Sequence, residues 1–332
     1  MDYKILIPCL CALVFGFALT YPLRKFAPKL GFMDVPKDER RMHTQPIPRI
    51  GGLAVYIAFL LAMCVTRQFS LFAPYACGGG IIVLLGILDD KISLNASAKI
   101  AGQTVAGVIL CLFGITVDVI QIFGLRFELG ILAYPATVIL VIAVTNIFNL
   151  IDGLDGLCCG LSIIAACCLG LLAFFSGNYD VTACALIFVC SCLGFLPHNT
   201  YKAKIFMGDT GAMFCGLALS ALCCQTVFSA EYTLSALTPF AVLGIPVFDT
   251  AFAIVRRLCS GSGVFVGDKK HVHHRLSGRY GHFLAVVLLY AAALVLAGVA
   301  LILNAQGGEI IGTALLALCL AYAVIRFGVY KG

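Results

Sequence analysis

Long apolar segments recur along this chain from its first residues to its last, and no other feature restricts its fold as strongly. A helix that crosses the hydrocarbon core of a bilayer needs about 20 apolar residues, and each segment approaches that length. Because hydrocarbon offers the backbone no hydrogen-bond partners, each segment is predicted to be a helix. The predicted fold class is therefore all-α: a polytopic integral membrane helical bundle, with about eleven transmembrane helices in a single domain, 1-332. The predicted spans are residues 3–23, 50–66, 73–88, 99–117, 131–150, 156–176, 179–197, 211–228, 233–255, 282–303 and 309–327.

The composition excludes a soluble fold. Hydrophobic residues make up 61% of the chain and charged residues 11%, and the mean hydropathy is +1.04. These values lie far outside the usage of soluble domains. In a membrane protein the placement of the basic residues matters more than the net charge of +6, so membrane lipids are expected as surroundings and no nucleic acid is expected as a partner. Most of the 17 cysteines lie inside apolar segments, where they are interpreted as small core residues rather than a disulfide framework.

The basic residues are distributed unevenly between the two predicted faces. With the N-terminus outside, nineteen Lys and Arg residues fall on the inner side and only three, Lys4, Arg67 and Arg126, fall outside. Positive charge is retained on the cytoplasmic side of membrane proteins, so an N-out, C-in orientation is predicted. Most aspartates gather at the same inner face. Solvated helix caps are the simplest alternative, but several acidic clusters next to apolar spans favour a functional site. The loops predicted to form it are residues 24-49, 89-98, 151-155, 198-210 and 256-281.

The adjacent Asp89 and Asp90 end an apolar run. Neighbouring carboxylates raise each other's cost of ionisation, which a divalent cation, a lysine or a proton relieves. Lys91 and Lys99 follow closely. By itself the pair is weak evidence for catalysis, because an aspartate at a helix end is common.

The segment 145–157 is more specific, since it contains a doubled Asp-Gly motif. Asn149 lies at the end of the preceding helical pattern, and the two glycines allow the backbone to approach a ligand closely. Asp152 and Asp155 offer oxygen ligands of the kind that Mg²⁺ prefers. A capped helix followed by a glycine turn would explain one Asp-Gly pair but not two.

A third acidic cluster surrounds Asp209, which lies between Gly208 and Gly211 at the inner end of a predicted span. These glycines leave the carboxylate open to a phosphate-bound metal ion. The segment lacks the Gly-Lys-Ser/Thr ending of a P-loop, so an ATPase is not predicted.

Three histidines, His271, His273 and His274, precede Arg275 in the last long inner loop. They could be zinc ligands, but no cysteine or carboxylate at zinc-finger spacing completes a tetrahedral set. Cationic or hydrogen-bonding histidines beside an arginine suit a sugar diphosphate better.

Taken in this order, the motifs resemble those of the polyprenyl-phosphate N-acetylhexosamine-1-phosphate transferase family (glycosyltransferase family 4), over nearly the whole chain. The resemblance is carried by Asp34-Val-Pro, Pro46-Ile-Pro-Arg-Ile-Gly-Gly52, Leu88-Asp-Asp-Lys, Asn95-Ala-Ser-Ala-Lys99, the doubled Asp-Gly motif, Phe206-Met-Gly-Asp and His271-Val-His-His. It implies transfer of a sugar 1-phosphate from a UDP-N-acetylhexosamine to undecaprenyl phosphate, with release of UMP. It also implies a location in the bacterial inner (cytoplasmic) membrane and a role in starting cell-envelope polysaccharide synthesis.

The same resemblance implies roles for individual residues. Asp209 and Asn149 would hold Mg²⁺, with Mn²⁺ as a substitute, and Asp152 would assist. Direct attack by the lipid phosphate is favoured over a covalent intermediate, because a phosphate monoester is already largely ionised at neutral pH. The predicted catalytic residues are Asp89, Asp90, Asp152 and Asp155. The predicted donor-binding residues are Asn199, Phe206, Gly153, Leu154, His271, His273, His274 and Arg275, and Lys99 and Arg49 are predicted to bind the lipid phosphate or the diphosphate.

Within this family the chain departs from the phospho-muramoyl-pentapeptide transferases. These have Thr-Pro-Thr-Met-Gly-Gly where this sequence reads Pro46-Ile-Pro-Arg-Ile-Gly-Gly52, and they have three consecutive histidines and one span fewer than predicted here. The departures favour the branch that starts O-antigen, common-antigen or teichoic-acid linkage units, with N-acetylglucosamine as the sugar. The muramoyl-pentapeptide activity stays an alternative, and the oligomeric state, a homodimer included, is open.

An ion-coupled membrane transporter is the alternative from a different class, since Asp249 lies inside a predicted span near Pro246. A transporter is expected to have paired repeats and polar groups near the membrane midplane. The sequence has no convincing internal repeat, and its polar clusters lie at one face, which favours the enzyme.

Overall fold

Helices account for most of the structure. The computed structural model describes residues 3–35, 45–66, 69–232, 234–259 and 271–327. Parts of two predicted inner loops, residues 36–44 and 260–270, therefore lie outside the described residues. The helices are α1 (Tyr3–Leu30), α2 (Gly52–Thr66), α3 (Phe69–Ile92), α4 (Ala96–Leu112), α5 (Ala133–Ile151), α6 (Leu157–Phe175), α7 (Tyr179–Asn199), α8 (Gly208–Thr226), α9 (Thr238–Val242), α10 (Gly244–Cys259), α11 (Val272–Tyr280), α12 (His282–Leu303) and α13 (Glu309–Phe327).

Each predicted span coincides with one helix except the ninth, residues 233–255, where the chain forms α9 and α10 instead. Pro246 explains the interruption. Proline has no backbone N–H, and its ring excludes the carbonyl of the residue four positions earlier. That residue is Val242, at which α9 ends.

By length and composition, seven helices in the described part of the chain could cross a membrane. Helices α2 and α4 are also apolar but shorter, and α8 is buried along nearly its whole length. The prediction of an all-α polytopic membrane protein is confirmed. The number of spans and the N-out, C-in orientation stay predictions.

Helix α8 lies at the centre of the bundle, and glycines let its neighbours approach its backbone. A Cβ atom on Gly52 of α2 would collide with Gly211, and one on Gly86 of α3 would collide with Thr210. Such close approach requires the small residues typical of membrane helix interfaces. The first turn of α8, which carries Asp209, is thereby fixed against α2 and α3.

Two short antiparallel strand pairs accompany the helices in the described residues. They are β1 (Met33–Asp34) with β2 (Ile47–Pro48), and β3 (Val119–Ile122) with β4 (Leu125–Glu128).

Directly after β2 the chain pairs with the segment that precedes α8. Arg49 and Phe206 form a parallel bridge. The amides of Gly51 and Gly52 donate hydrogen bonds to the carbonyls of Phe206 and Met207 at 2.9 and 2.8 Å. This pairing brings the Arg49 side chain to the start of α8.

Candidate active site

Asp90, near the end of α3, is a buried acceptor that joins three segments. Its carboxylate accepts hydrogen bonds from Nε and Nη2 of Arg49, at 3.0 and 2.7 Å. It also accepts from the amides of Asp209 and Thr210, at 3.0 and 3.1 Å, and from the Thr210 hydroxyl at 2.8 Å. The first amides of a helix lack partners within the helix, and a carboxylate satisfies them. Asp90 therefore caps α8, and its side chain is 0% exposed.

Asp89 has a different set of partners. One of its oxygens accepts from the amide of Leu94 at 2.7 Å, and the other forms an ion pair with Lys99. Lys99 also lies 3.3 Å from one oxygen of Asp209, and Arg49 lies 3.5 Å from the other. The structure thus brings three of the five predicted site aspartates, Asp89, Asp90 and Asp209, into one cluster with both predicted phosphate-binding bases.

Asp152 follows the last residue of α5 and adds a fourth carboxylate to this region. Burial raises the pKa of Asp152 well above its usual range, and the negative charge of Asp209 raises that pKa further. The amide nitrogen of Asn149 is buried and has no hydrogen-bond partner in the described part of the chain. If the amide of Asn149 is flipped, its oxygen takes the place of the unpartnered nitrogen and can act as a metal ligand.

These groups fit a hard divalent cation. Among the described residues, four carboxylates are balanced by two bases within the cluster, Arg49 and Lys99. Mg²⁺ prefers carboxylate and amide oxygens, and a cation relieves the repulsion between clustered carboxylates.

The loop 152–156, which carries the doubled Asp-Gly motif, is held by Asn199. The amide of Gly156 donates to Oδ1 of Asn199 at 3.2 Å, and Nδ2 of Asn199 donates to the carbonyl of Ile205 at 3.0 Å. Gly156 has a φ of 77°, in the left-handed region that favours glycine. Asn199 is 3% exposed. The sequence predicts that Asn199 contacts the sugar-nucleotide donor. In the structure, both its amide oxygen and its amide nitrogen bind backbone groups, and Asn199 thereby joins the loop 152–156 to the segment that contains Ile205.

Asp155 and His282 form a second fixed point of the same loop. Asp155 accepts from the amide of Ala203 at 3.0 Å, and its own amide donates to Nε2 of His282 at 2.8 Å. A ring nitrogen that accepts leaves the proton on the other nitrogen, so His282 is the Nδ1–H tautomer. The ring centroids of His282 and Tyr201 lie 5.2 Å apart. Neither residue is among the site residues predicted individually, because neither belongs to a repeated or acidic motif, although Tyr201 lies in the predicted loop 198-210.

A cavity of about 880 Å³ opens beside this loop. Its lining includes nine of the predicted site residues: Arg49, Asp152, Gly153, Leu154, Asp155, Asn199, Phe206, Asp209 and His274. The other lining residues are not predicted individually, although all except His282 lie in the predicted loops 24-49 and 198-210: Arg24, Asp34, Gln45, Pro46, Ile47, Pro48, Tyr201, Lys202, Ala203, Lys204, Gly208 and His282. The inner-face charge count is the signal that could have singled out Arg24, Lys202 and Lys204. Other predicted residues do not line the cavity: Asp89, Asp90, Asn149, Lys99, His271, His273 and Arg275.

The histidine motif is divided between two environments. His274 reaches the cavity, and burial lowers its pKa to about 4, so it is neutral at pH 7. His271 and His273 are buried beside Asp249, at 5% and 1% exposure. Of these three histidines, only His274 is therefore open to the contact with the sugar-nucleotide donor that the sequence predicts. Asp249 is a carboxylate beside these histidines that does not lie at zinc-finger spacing in the sequence, because it belongs to a different helix, α10.

The cavity lies where α1, α5 and α7 end and where α2, α8 and α12 begin. A charged cavity of this kind, at one end of a bundle of apolar helices, is typical of a multi-pass membrane enzyme. Residues 72–227 match the protein family described as Glycosyl transferase family 4.

Relatives that match most of the chain carry consistent names. A Bacillus subtilis protein described as a probable undecaprenyl-phosphate N-acetylglucosaminyl 1-phosphate transferase is 35% identical, over 91% of this chain and 85% of the relative. A decaprenyl-phosphate N-acetylglucosaminephosphotransferase from Mycolicibacterium smegmatis is 35% identical, over 85% and 77%. The undecaprenyl-phosphate alpha-N-acetylglucosaminyl 1-phosphate transferase of Escherichia coli is 28% identical, over 83% and 77%. The chain belongs to glycosyl transferase family 4, as the motifs predicted.

Proposed function

We propose that this enzyme transfers N-acetylglucosamine 1-phosphate from a UDP-sugar to undecaprenyl phosphate and releases UMP. The observation that carries the proposal is the cluster of Asp89, Asp90, Asp209, Lys99 and Arg49 beside a charged cavity. The relatives' names supply the sugar and the polyprenyl phosphate. They match the transferase interpretation and give no support to the muramoyl-pentapeptide or transporter alternatives.

The cavity suits a sugar nucleotide in size and charge. Its volume of about 880 Å³ is within the range of small-molecule sites. Arg24, Lys202 and Lys204 line it and would bind the diphosphate, because charge-assisted hydrogen bonds to phosphate are the strong ones. Phe206 offers an aromatic face for the base. The neutral His274 can accept or donate one hydrogen bond to the sugar.

The lipid phosphate would approach from the membrane side, toward Lys99 and Arg49. We propose that an oxygen of the lipid phosphate attacks the β-phosphorus of the donor. The bond from that phosphorus to the bridging oxygen then breaks, and UMP leaves with the bridging oxygen. Because Asp90 accepts five hydrogen bonds, we assign it to holding Arg49 and the start of α8. Asp89 then orients Lys99 toward the attacking phosphate.

The proposed metal ion is Mg²⁺, held by Asp209 with Asn149 and assisted by Asp152. When bound, it neutralises charge on the donor diphosphate and on the leaving UMP. The support is the surplus of carboxylates and the orphaned amide of Asn149.

We place this site at the cytoplasmic face of the bacterial inner membrane. The support is the positive-inside asymmetry of the sequence, together with the location of the cavity at the predicted inner ends of the helices. The product would start a cell-envelope polysaccharide.

Purified protein, undecaprenyl phosphate and Mg²⁺ should release UMP with UDP-N-acetylglucosamine and form a lipid-linked sugar diphosphate. Parallel reactions with UDP-N-acetylgalactosamine and UDP-muramoyl-pentapeptide test the sugar. Asp209→Asn protein is the control for a contaminating enzyme. Absence of product with every UDP-sugar, from protein that unfolds cooperatively on heating, would refute the proposal.

A further inference from the structure

Asp249 lies in α10, outside the cavity, yet it contacts two residues of the histidine motif. Its Oδ2 lies 3.1 Å from Nδ1 of His271 and 2.7 Å from Nδ1 of His273. Its Oδ1 accepts from the amide of Val272 at 2.5 Å. All three side chains are buried, with exposures of 4%, 5% and 1% for Asp249, His271 and His273.

This arrangement fixes both imidazole rings. An ionised carboxylate only accepts hydrogen bonds, so each Nδ1 that faces it carries a proton. In the neutral rings Nε2 is then unprotonated. A carboxylate behind a histidine commonly sets its tautomer and ring orientation in this way.

The far edge of the His273 ring lies against the doubled Asp-Gly loop. A Cβ atom on Gly153 would lie 2.5 Å from Nε2 of His273. Nε2 itself is buried and has no hydrogen-bond partner among the residues that the structure describes. Gly153 lines the cavity next to Asp152. The ring therefore determines how close the loop can come to α11.

We propose that Asp249 is a positioning residue for the donor half of the site. It orients the rings of His271 and His273, and the His273 ring sets the position of Gly153 and of the loop 152–156. The assignment rests on the proposed function, which defines the donor half. Asp249 thus has a role in the transferase that needs no ion coupling.

A metal site is the competing interpretation of the same three side chains, since their ligand atoms lie within 4.8 Å of one another. Both Nδ1 atoms, however, lie at hydrogen-bond distance from one oxygen, and the other oxygen is occupied by the Val272 amide. The carboxylate is thereby satisfied without a metal ion.

The first test replaces Asp249 with asparagine. The amide group would donate to the ring nitrogens and move their protons to Nε2, toward Gly153. We expect donor kcat/KM to fall about tenfold to a hundredfold, as for other residues that orient a functional histidine, while the lipid KM changes less than about twofold. His273→Ala should have a similar effect. The double variant should be no worse than His273→Ala alone, because Asp249 acts through His273.

The matched control is Asp118→Asn, in which the carboxylate has one hydroxyl partner, Thr116, at 2.6 Å and lies on the predicted outer face. It should leave donor kinetics unchanged, alone and combined with His273→Ala. The proposal would be overturned if Asp249→Asn and His273→Ala lowered activity independently of each other and impaired the use of the donor and of the lipid equally. Asp249 would then be a structural contact only. One equivalent of zinc in the wild-type protein that is absent from Asp249→Asn would also overturn the proposal.

The second test needs no turnover, so it separates this proposal from the proposed function. The φ angle of Gly153 is not in the left-handed region, so contact with His273 is the main obstacle to an alanine there. Gly153→Ala should lower the melting temperature of the wild-type protein but not that of His273→Ala. ¹⁵N spectra of labelled histidine should show Nδ1–H for His271 and His273, lost in Asp249→Asn. Equal destabilisation by Gly153→Ala in both backgrounds, or Nε2–H tautomers in the wild type, would overturn the proposal even if UMP release is normal.

Discussion

Thr210→Val tests the assignment of Asp90 as the acceptor that fixes α8. The substitution nearly preserves the shape of the side chain and removes one donor, the hydroxyl that lies 2.8 Å from Oδ2 of Asp90. Both groups are inaccessible, with 0% exposure of the Thr210 residue and of the Asp90 side chain. A buried hydrogen bond to a charged group contributes about 1.5–3 kcal/mol. Because four other donors still reach the carboxylate, we expect the lower part of that range, about 1.5–2 kcal/mol.

The assay is thermal unfolding in detergent, together with UMP release. One kcal/mol shifts the melting temperature of a chain of this size by about 2–3 °C, so a decrease of about 3–6 °C is expected. Donor turnover should fall as well, since Asp209 adjoins Thr210.

The matched control is Thr226→Val, in the same helix. Among the described residues, its buried hydroxyl bonds to the carbonyl of Leu222, within its own helix turn. Such bonds contribute little to stability, so the melting temperature should stay within about 1–2 °C of the wild type. Equal melting temperatures for the two valine variants would refute the assignment. If Thr210→Val loses turnover at an unchanged melting temperature, Asp90 would instead have the direct catalytic role that the sequence predicts.

Three further outcomes are expected. Asp209→Asn should abolish turnover in a folded protein, because an amide is a poorer Mg²⁺ ligand than a carboxylate, and EDTA should stop the wild-type reaction until Mg²⁺ is restored; activity of the variant at saturating Mg²⁺ would locate the metal elsewhere. Asn199→Ala should cost about 2–3 kcal/mol of stability, since two buried hydrogen bonds are lost, and should impair donor and lipid use together; a loss confined to the donor at unchanged melting temperature would instead support the predicted donor contact. Reporter fusions after Lys331 should be active only on the cytoplasmic side, and activity on the outer side would reverse the orientation.

The sequence indicates most clearly those candidate site residues that lie close together in the chain. The doubled Asp-Gly motif and the Asp89-Asp90 pair were recognised because the chemistry of each is contained in a few consecutive residues. Their partners were assigned less completely. Arg49 and Asp90 are 41 positions apart, and the amides that Asp90 caps are 119 and 120 positions away. No periodic pattern connects such positions, so the partners of Asp89 and Asp90 could be assigned only from the tertiary structure.

Asn199 and the histidines illustrate the same limit. The sequence predicts that all of them contact the sugar-nucleotide donor, because an amide or an imidazole in an inner loop is chemically suited to that role. Only packing decides which polar atoms remain accessible. Asn199 binds the backbone at both ends of its amide, and His271 and His273 turn toward Asp249.

The sequence by itself determined the membrane class and the helices, because the length of an apolar run and the need to satisfy backbone hydrogen bonds in hydrocarbon are local properties. It also determined which residues gather at one end of the bundle, since each acidic motif adjoins a helix end. The tertiary structure decided which carboxylates are saturated and which face the cavity, because burial and hydrogen-bond partners depend on helices that are distant in the chain. The break before α10 depends on both the sequence and the tertiary structure. Pro246 interrupts the helix locally, and the packing of the bundle then places Asp249 beside the histidines.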